Sequence, residues 1–479
     1  MNAADLAKQL GDLHTELNIV WTLLTGFLVM FMQAGFALVE TGLTRAKNVA
    51  HTMAMNLLVY AIAILGFWSM GFALQMGGVG PLGTFGQDPT LSHELAIDLG
   101  GRSFGLMGLR GFFLSPDVVT PGVATLFLFQ LVFMDTAATI PTGAGAERWK
   151  FTSFVLFSFV SSSIIYPIFA NWTWGGGWLS TLGSNLGLGH GHVDFAGSSV
   201  VHMSGGVMAF VVAQQLGPRL GKYAPDGSVK AVPGHSIPLV VLGTCILAFG
   251  WFGFNPGSTL SGSDTRIAVI AVNTMLASSG GAIAAFAYTK LRFGAPDVSM
   301  MCNGMLSGLV AITAPCAFVT APSAVLIGLV AGVLVIRASL FIEQTLRVDD
   351  PVGAVAVHGV CGAWGILALG LLADGRYGEG FNGVPGPVRG LLYGDVGQFL
   401  ASCIGIVTNL VWVGTVTFLA MKVVGALVGN RSAPQHEVDG LDVSELGGPG
   451  YAPDALGRRR PSAAVEAVDP TSRILLKHP

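Results

Sequence analysis

The chain has 479 residues, of which 52% are hydrophobic and only 11% are charged, and its formal net charge is −3. Because soluble domains carry roughly 25% charged residues, this composition excludes a water-soluble globular protein. The lack of a basic excess also excludes a nucleic-acid-binding surface. The five cysteines lie inside apolar stretches and form neither an even-numbered disulfide set nor a CxxC metal pattern.

Long stretches without Asp, Glu, Lys or Arg indicate membrane-spanning segments, each of which needs about 20 apolar residues. Cutting the longer stretches at Gly, Pro and polar breaks predicts eleven helices. They lie near residues 18–42, 52–77, 119–143, 151–170, 197–216, 237–258, 267–289, 299–317, 322–345, 352–373 and 397–424. Strand-like alternation is absent from the sequence, which argues against a barrel. The predicted fold class is all-α, a polytopic membrane protein of eleven transmembrane helices in the lipid bilayer.

The ends of the chain are assigned from hydropathy and loop charge. Residues 1–17 are predicted to form an extracellular N-terminus and residues 18–428 the membrane domain. The first apolar run lacks a basic lead and a cleavage site, so we interpret it as a helix rather than a signal peptide. Lys and Arg are more frequent in the loops after the odd-numbered helices, which places the tail, residues 429–479, in the cytoplasm. The tail contains a basic cluster, Arg458–Arg460, and is interpreted as a regulatory or docking segment.

Two short segments can be laid over each other, one from Asp194 to Gly206 and one from Asp350 to Gly362. In both, Gly follows the Asp three residues later, His follows it eight residues later, and another Gly comes four residues after the His. The first segment opens helix 5 and the second opens helix 10. An odd number of spans separates them, so the two copies enter the membrane from opposite sides. This pattern predicts a five-plus-five inverted repeat, whose midplane residues form one site.

The histidines of the repeat, His202 and His358, are the first candidate functional residues. Each Asp can cap the N–H groups at the start of its helix, and each His lies about 12 Å deeper, near the middle of a core roughly 30 Å thick. A lone intramembrane His is most often bonded to backbone carbonyls. Ionisable residues inside spans are nevertheless costly and usually mark a pathway or relay. The duplication favours a functional pair that meets in the centre of the membrane.

Metal binding and hydrolysis are the competing uses of these residues. The Asp and His of one copy are too far apart to share an ion, because metal–ligand bonds are only about 2 Å long. Two His alone make a poor metal site, and the sequence contains no H-E-x-x-H motif and no G-x-S-x-G motif near them. We therefore expect no enzymatic activity, no catalytic residues, no metal and no cofactor.

Several further motifs occur in a fixed order along the membrane part of the chain. They are Gln33–Asn48, Gly143–Arg148, Asp194–Gly197 with His202, Gly250–Ser258, and Arg347–Pro351 leading to His358–Gly362. Together they resemble the ammonium transporter (Amt/Mep/Rh) family, and within it the Amt branch, from about residue 18 to 425. The resemblance implies a homotrimer in the cell membrane with a separate narrow hydrophobic pore in each subunit. It also implies ammonium or ammonia as the substrate, methylammonium as an analogue, and a role in nitrogen uptake.

By this resemblance, Trp174 and Ser258 form an outer cation-recruitment site with Phe133 beside it, and Asp194 is the acidic residue essential for that site. Phe133 and Phe254 are similar to the stacked pair that closes the pore below. The residue types suit a cation, because aromatic faces attract it and a Ser hydroxyl accepts an N–H bond. Taken singly, the Trp could be an interfacial anchor, the Phe residues core packing and the Ser a helix cap.

His202 and His358 resemble the twin histidines of the family's pore, and Trp251 and Gln130 resemble other positions near it. Stripping water from a small cation in a low-dielectric pore is costly unless its hydrogen bonds are replaced. We therefore predict that the cation is recognised outside, loses a proton and passes as neutral ammonia, while the imidazoles share hydrogen bonds with it and carry the proton separately.

Two places depart from the family pattern. Glu40 stands where some members have aromatic residues; it could pair with Arg45 or Lys47, or it could alter the pore exit. Gly440–Val443 resembles the C-terminal signature that couples subunits, but Ser444–Gly447 lacks the expected His-Gly-Glu continuation. The resemblance also implies a possible partner at the cytoplasmic exit, a trimeric PII-type signalling protein.

Two other functions remain open at this stage. One is an ammonium receptor of the same fold that signals through a partner instead of conducting, which a flux measurement would separate from a transporter. The other is an Rh-like conduit for neutral gas. The outer Trp174 and Ser258 site disfavours the gas conduit, and competition between methylammonium and carbon dioxide would decide.

Overall fold

The computed structural model describes residues 2–86 and 90–452, so the predicted basic cluster Arg458–Arg460 lies outside the described residues. Within these ranges, ten helices are long and apolar enough to cross a membrane, and a shorter apolar helix lies between two of them. We label them α1 Ala3–Leu43, α2 Ala46–Met76, α3 Pro121–Gly145, α4 Phe151–Trp174, α5 Ser198–Leu216, α6 Ile237–Thr259, α7 Arg266–Phe293, α8 Val298–Ile312, α9 Ala321–Gln344, α10 Val355–Leu372 and α11 Val396–Val428. These eleven helices of the described residues agree in number with the eleven predicted from the sequence.

Helix α1 begins well before the predicted start near residue 18. It starts at Ala3, where the Asn2 side chain accepts a hydrogen bond from the Asp5 N–H at 2.8 Å and the Asp5 carboxylate accepts one from the Asn2 N–H. This reciprocal capping box fixes the first turn. Hydropathy could not place this boundary, because the added turns are largely polar and exposed. Residues 3–17 therefore continue the first membrane helix instead of preceding it.

Small residues allow the first helices of the two halves, α1 and α6, to pack closely. A Cβ atom added to Gly35 would lie 3.0 Å from the Gly243 carbonyl oxygen and 2.7 Å from the Leu247 side chain. A Cβ atom added to Gly253 would lie 2.6 Å from the Leu28 Cβ. Close backbone approach at small residues is typical of membrane helix pairs, because lipid supplies no hydrophobic force between helices.

A two-stranded antiparallel hairpin, β1 Glu94–Leu99 and β2 Arg102–Gly108, lies between α2 and α3 and was not predicted. Strand β1 is largely exposed and β2 is partly buried without alternation, so neither strand has the buried alternating face that would have revealed it. The Trp172 indole N–H donates to the Leu106 carbonyl at 2.8 Å and ties the hairpin to the end of α4. We call this side of the molecule the hairpin face and the opposite side, where residues 429–452 pack, the tail face.

The described part of the tail forms two short helices, α12 Pro434–Asp439 and α13 Leu441–Leu446. They dock on the start of α2. Lys47 Nζ donates to the carbonyl oxygens of Glu437, at 2.5 Å, and Val438, at 2.7 Å. The Leu441 N–H donates to the Asn48 side-chain oxygen at 2.9 Å. The tail segment is thus held on the membrane domain by specific polar contacts.

Buried ion pairs join the loops of the tail face. The Arg219 guanidinium lies 2.9 Å from the Asp349 carboxylate and 3.3 Å from the Glu147 carboxylate, which also pairs with Arg45. Burial would raise the pKa of Asp349, but the hydrogen bonds and positive charge of Arg219 outweigh burial and lower the pKa to about 2. Asp349 is therefore ionised, and it immediately precedes the second copy of the repeat.

Candidate functional site

The backbone of both repeat copies begins with the same turn. Asp194 accepts hydrogen bonds from the N–H groups of Gly197 and the three residues after it and from the Ser199 hydroxyl, at 2.7–2.9 Å. Asp350 accepts N–H bonds that include those of Gly353 at 3.1 Å and Val355 at 2.8 Å. Gly197 and Gly353 have φ values of 111° and 78°, a region that favours glycine. The predicted capping role of both aspartates agrees with these contacts.

Each histidine lies in a π-helical turn and not in the regular α-helix that the sequence suggested. His202 lies in the turn Ser198–Met203 and His358 in the turn Val355–Val360. Such turns insert one extra residue into a helix and occur frequently at functional sites. The two copies thus share a local distortion at the histidine.

Glycines of the repeat bring α5 and α10 together. A Cβ atom on Gly206 would clash with the backbone of Gly359, and one on Gly362 would lie 2.5 Å from the Ser198 carbonyl oxygen. At this crossing the Nδ1 atoms of His202 and His358 lie 3.2 Å apart, with ring centroids 5.3 Å apart. This contact is a hydrogen bond when one Nδ1 carries hydrogen and the other is bare. The two imidazoles thus meet as the sequence predicted.

A column of aromatic rings continues from the histidines toward the hairpin face. The His202 ring is stacked on Phe254, with centroids 5.2 Å apart, and Phe254 is stacked on Phe133 at 4.2 Å. Trp251 stacks on another side of His202 at 5.2 Å, and its indole N–H donates to the Thr313 hydroxyl at 3.0 Å. All these rings are buried, so the column closes the direct path between the hairpin face and the histidine pair.

Above the column lies a cavity of about 440 Å³, and its lining includes Gln130, Phe133, Trp174, Asp194 and Ser258. The Trp174 indole N–H donates to the Asp194 carbonyl at 2.7 Å, which fixes the orientation of the ring. The Ser258 hydroxyl donates to the Phe254 carbonyl at 2.8 Å, so its lone pairs remain free to accept. Trp174 lies beyond the predicted helix end at residue 170, but α4 extends further and Trp174 is its last residue.

The chain is similar to ammonium transporters along most of its length. The family model of the Ammonium Transporter Family matches residues 20–451. Ammonium transporter Amt2 of Archaeoglobus fulgidus is 45% identical over 446 residues, which cover 93% of this chain and 90% of that protein. Ammonium transporter Amt1 of Haloferax mediterranei is 35% identical over 462 residues, which cover 94% of this chain and 81% of that protein.

The chain belongs to the ammonium transporter family. Solved structures of similar fold include a protein described as "Sensor Amt Protein", with a TM-score of 0.78 and 34% identity, which covers 91% of this chain and 99% of that chain. Another is Mep2 of Candida albicans, with a TM-score of 0.73 and 26% identity, which covers 88% of this chain and 87% of that chain.

On the tail side of the histidines, this ammonium transporter family member has a small chamber of about 20 Å³, whose lining includes Phe36, Glu40, Asn303 and His358. The Glu40 side chain is buried, with 3% of its surface exposed. Its carboxylate accepts hydrogen bonds from the Asn56 amide and the Thr142 hydroxyl, both at 2.7 Å.

The expectation that Glu40 could pair with Arg45 or Lys47 is wrong. Arg45 pairs with Glu147, and the Lys47 ammonium donates to carbonyl oxygens of the tail. Both basic side chains point away from α1 toward tail-face loops, so Glu40 has polar but uncharged hydrogen-bond partners. The alternative, a position at the pore exit, agrees with the chamber.

A wider cavity of about 480 Å³, the tail vestibule, opens beyond the chamber on the tail face. Its lining includes Arg219, Lys222 and Asp350, and it shares Asn303 and Val352 with the chamber. The second copy of the repeat thus borders the vestibule with its Asp and the chamber with its His.

Sequence reasoning missed His192, which lines the cavity of the hairpin face. One ring nitrogen lies 2.9 Å from the Ser199 hydroxyl, which in turn donates to Asp194. Burial lowers the pKa of His192, and the negative charge of Asp194 partly opposes that effect. Its position two residues before Asp194, in the run Gly189–Asp194, is the pattern that could have identified it.

Proposed function

We propose that this protein transports ammonium across the membrane along a narrow hydrophobic path, with the twin histidines as the pore relay. The observation that carries the proposal is the 3.2 Å contact between His202 and His358 below a closed aromatic column, in a chain of the ammonium transporter family. Ring nitrogens can donate and accept hydrogen bonds, which a dry path otherwise lacks. A ligand that crosses here needs such replacements for its lost water.

Recognition takes place in the cavity of the hairpin face. A cation there meets the faces of Trp174 and Phe133, which attract positive charge, and the free lone pairs of Ser258. Asp194 acts indirectly, because N–H and O–H donors already occupy its carboxylate oxygens. Its buried negative charge favours a cation in the cavity, and its carbonyl orients Trp174.

Conduction follows deprotonation. Phe133 and Phe254 act as the pore gate, because their rings must separate or tilt before a molecule passes between them. Neutral ammonia then crosses beside His202 and His358, while the proton leaves through the imidazole pair. Trp251 and Gln130 hold the surroundings of this path: Trp251 stacks on His202, and Gln130 accepts a hydrogen bond from Gln75 at 2.7 Å.

The hairpin face is the outer side in this proposal, and the tail face is cytoplasmic. Residues 1–17 lie outside, residues 18–428 form the membrane domain and residues 429–479 form a cytoplasmic tail. The excess of Lys and Arg in the tail-face loops supports this orientation. The protein functions as a homotrimer in the cell membrane, and a PII-type signalling protein is a candidate partner at the tail face.

A receptor that binds ammonium without conducting it is the second candidate. It is favoured by the similarity to the solved protein described as "Sensor Amt Protein". The docked tail also favours it, because a partner protein could bind that segment and respond to a change in its position. The Rh-like gas conduit is disfavoured, because a neutral gas would gain nothing from the cation site at Trp174 and Ser258.

The deciding experiment uses purified full-length protein in proteoliposomes, with protein-free liposomes as the control. Ammonium pulses across a pH series should evoke a current that saturates, and methylammonium should compete while carbon dioxide should not. Saturable binding of methylammonium without current or uptake would replace transport with the receptor function. Passage of carbon dioxide in competition with ammonia would favour the gas conduit.

A further inference from the structure

We propose that Glu40 is a proton-relay residue, which takes the proton from the histidine pair and releases it to the tail vestibule. The inference rests on the proposed transport function and assigns the second half of the proton path. It starts from an anomaly of charge, since an acidic side chain occupies a spanning helix without a basic partner among its described contacts. Ionisable residues in spans are costly and usually belong to ion pathways.

Glu40 and His358 line the same chamber. Its volume of about 20 Å³ exceeds the minimum of about 10–15 Å³ that one water molecule needs. Glu40, Asn303 and His358 all line it, and a water held there needs two to four such polar partners. One bound water or ammonia molecule can therefore bridge the imidazole and the carboxylate.

The carboxylate is positioned by neighbouring helices. Asn56 of α2 and Thr142 of α3 each donate a hydrogen bond to Glu40 at 2.7 Å and hold it toward the chamber. The charge of Asp350 acts on Glu40, and His358 lines the same chamber. Glu40 is thus fixed in position at the chamber.

The exit from Glu40 is also defined. The chamber and the tail vestibule share Asn303 and Val352 in their linings, so the two cavities adjoin at these residues. A protonated His passes H⁺ through the bridging molecule to the Glu40 carboxylate, which yields a neutral imidazole and a neutral carboxylic acid. The acid then returns the proton to water in the vestibule, where ammonia takes it up and ammonium is re-formed. Charge and protons balance, and no other reactant is needed.

The test separates charge movement from ammonia movement in the same proteoliposomes. Ammonium-evoked current reports the proton, and uptake of radiolabelled methylammonium reports entry of the neutral amine, in place of ammonia, whether or not its proton follows. The variants are Glu40→Gln, which keeps the side-chain shape, Glu40→Asp, which keeps a carboxylate, and Asp135→Asn as the matched control. Asp135 is another buried acid of a spanning helix, but it does not line the chamber.

We expect Glu40→Gln to lower the current by roughly tenfold or more, while ammonia entry changes by less than about twofold. Glu40→Asp should restore part of the current, and Asp135→Asn should leave both measurements near wild type. If Glu40→Gln does not assemble, Glu40→Asp alone must lower the current more than ammonia entry, because its carboxylate lies further from the chamber.

Equal loss of current and ammonia entry in Glu40→Gln would overturn the inference and make Glu40 a structural part of the path. Unchanged current would overturn it as well. A parallel His202→Leu/His358→Leu variant separates this failure from failure of the transport proposal. If that double variant keeps its current, the histidine relay is wrong; if only the Glu40 variants keep theirs, the relay stands without Glu40.

Discussion

The two copies of the repeat have the same backbone and different surroundings. In both, an Asp caps the helix start, a Gly adopts positive φ and a His lies in a π-helical turn. Asp194, however, is 1% exposed and binds the Ser199 hydroxyl as well as backbone N–H groups, whereas Asp350 borders the tail vestibule. Asp194 is nearly covered although it lines the cavity of the hairpin face, and the second copy borders the tail vestibule.

The histidines differ in the same way. His202 lies within the aromatic column, stacked on Phe254 and Trp251, while His358 borders the chamber that contains Glu40. The repeat pattern therefore determines where the two imidazoles are placed, and residues from other helices determine what each of them faces. A symmetric pattern in this way produces different surroundings on the two sides of the histidine pair.

The sharpest way to test this difference is to neutralise each Asp in turn. Asp194→Asn should lower methylammonium uptake roughly a hundredfold, because the amide nitrogen cannot accept from the buried donors that face it, and each such charged bond is worth about 1.5–3 kcal/mol. Asp350→Asn should lower methylammonium uptake only severalfold, since water in the vestibule can replace the lost hydrogen bonds. Initial uptake rates at equal amounts of folded protein provide the measurement. Similar losses in both variants would contradict the account.

The ion pair beside the second copy should give that side a distinct pH dependence. The folded-state pKa of Asp349 is lowered to about 2, so its stabilising effect is complete above the ordinary value near 4 and is lost as the pH falls toward 2. The ionised carboxylate of Asp349 thus adds about 2 kcal/mol to the free energy of unfolding. The first copy has Val193 at the corresponding position and no such titration.

Thermal unfolding in detergent checks this expectation. The stability difference between wild type and Asp349→Asn should be constant from neutral pH to about 4 and shrink toward pH 2, because a protonated Asp resembles Asn. A difference that persists unchanged at the lowest pH would show that Arg219 does not stabilise the ionised carboxylate.

The smallest expected effect concerns the Trp174 ring, which Asp194 of the first copy holds by a hydrogen bond. The Asp194 carbonyl holds Trp174, whereas the Asp349 carbonyl accepts a bond from Arg148 at 2.6 Å. Trp174→Leu should raise the half-saturation concentration for methylammonium about tenfold, since a desolvated cation–π contact is worth about 1–2 kcal/mol. Trp68→Leu is the matched control, because Trp68 is 39% exposed and does not line the cavity. Equal shifts in both variants would remove Trp174 from the recognition site.

Much of this arrangement could be predicted from the sequence, because hydropathy and the repeat are local patterns. The helices and the meeting of His202 with His358 follow from spacing and from an odd number of spans. The start of α1 at Ala3 could not be predicted by hydropathy, since its first turns are polar. The hairpin Glu94–Gly108 could not be predicted for a related reason, because neither of its strands has a buried face of alternating residues.

The surroundings of the histidines were beyond sequence reasoning because they depend on contacts between distant helices. Glu40 was expected to pair with a nearby basic residue or to alter the exit, and its partners proved to be Asn56 and Thr142 on two other helices. The π-helical turns leave no sequence periodicity of their own. Family resemblance indicated which residues to examine, and tertiary packing determined what they contact.

The central claim is that the paired imidazoles carry the proton during ammonium transport. Ammonium-evoked current in proteoliposomes that contain the His202→Leu/His358→Leu variant tests it most directly. His51→Leu is the control, because His51 is equally buried in α2 and neither of its ring nitrogens has a hydrogen-bond partner among the described residues. The account predicts no current from the folded double variant and near wild-type current from the control. An undiminished current from the double variant would contradict it.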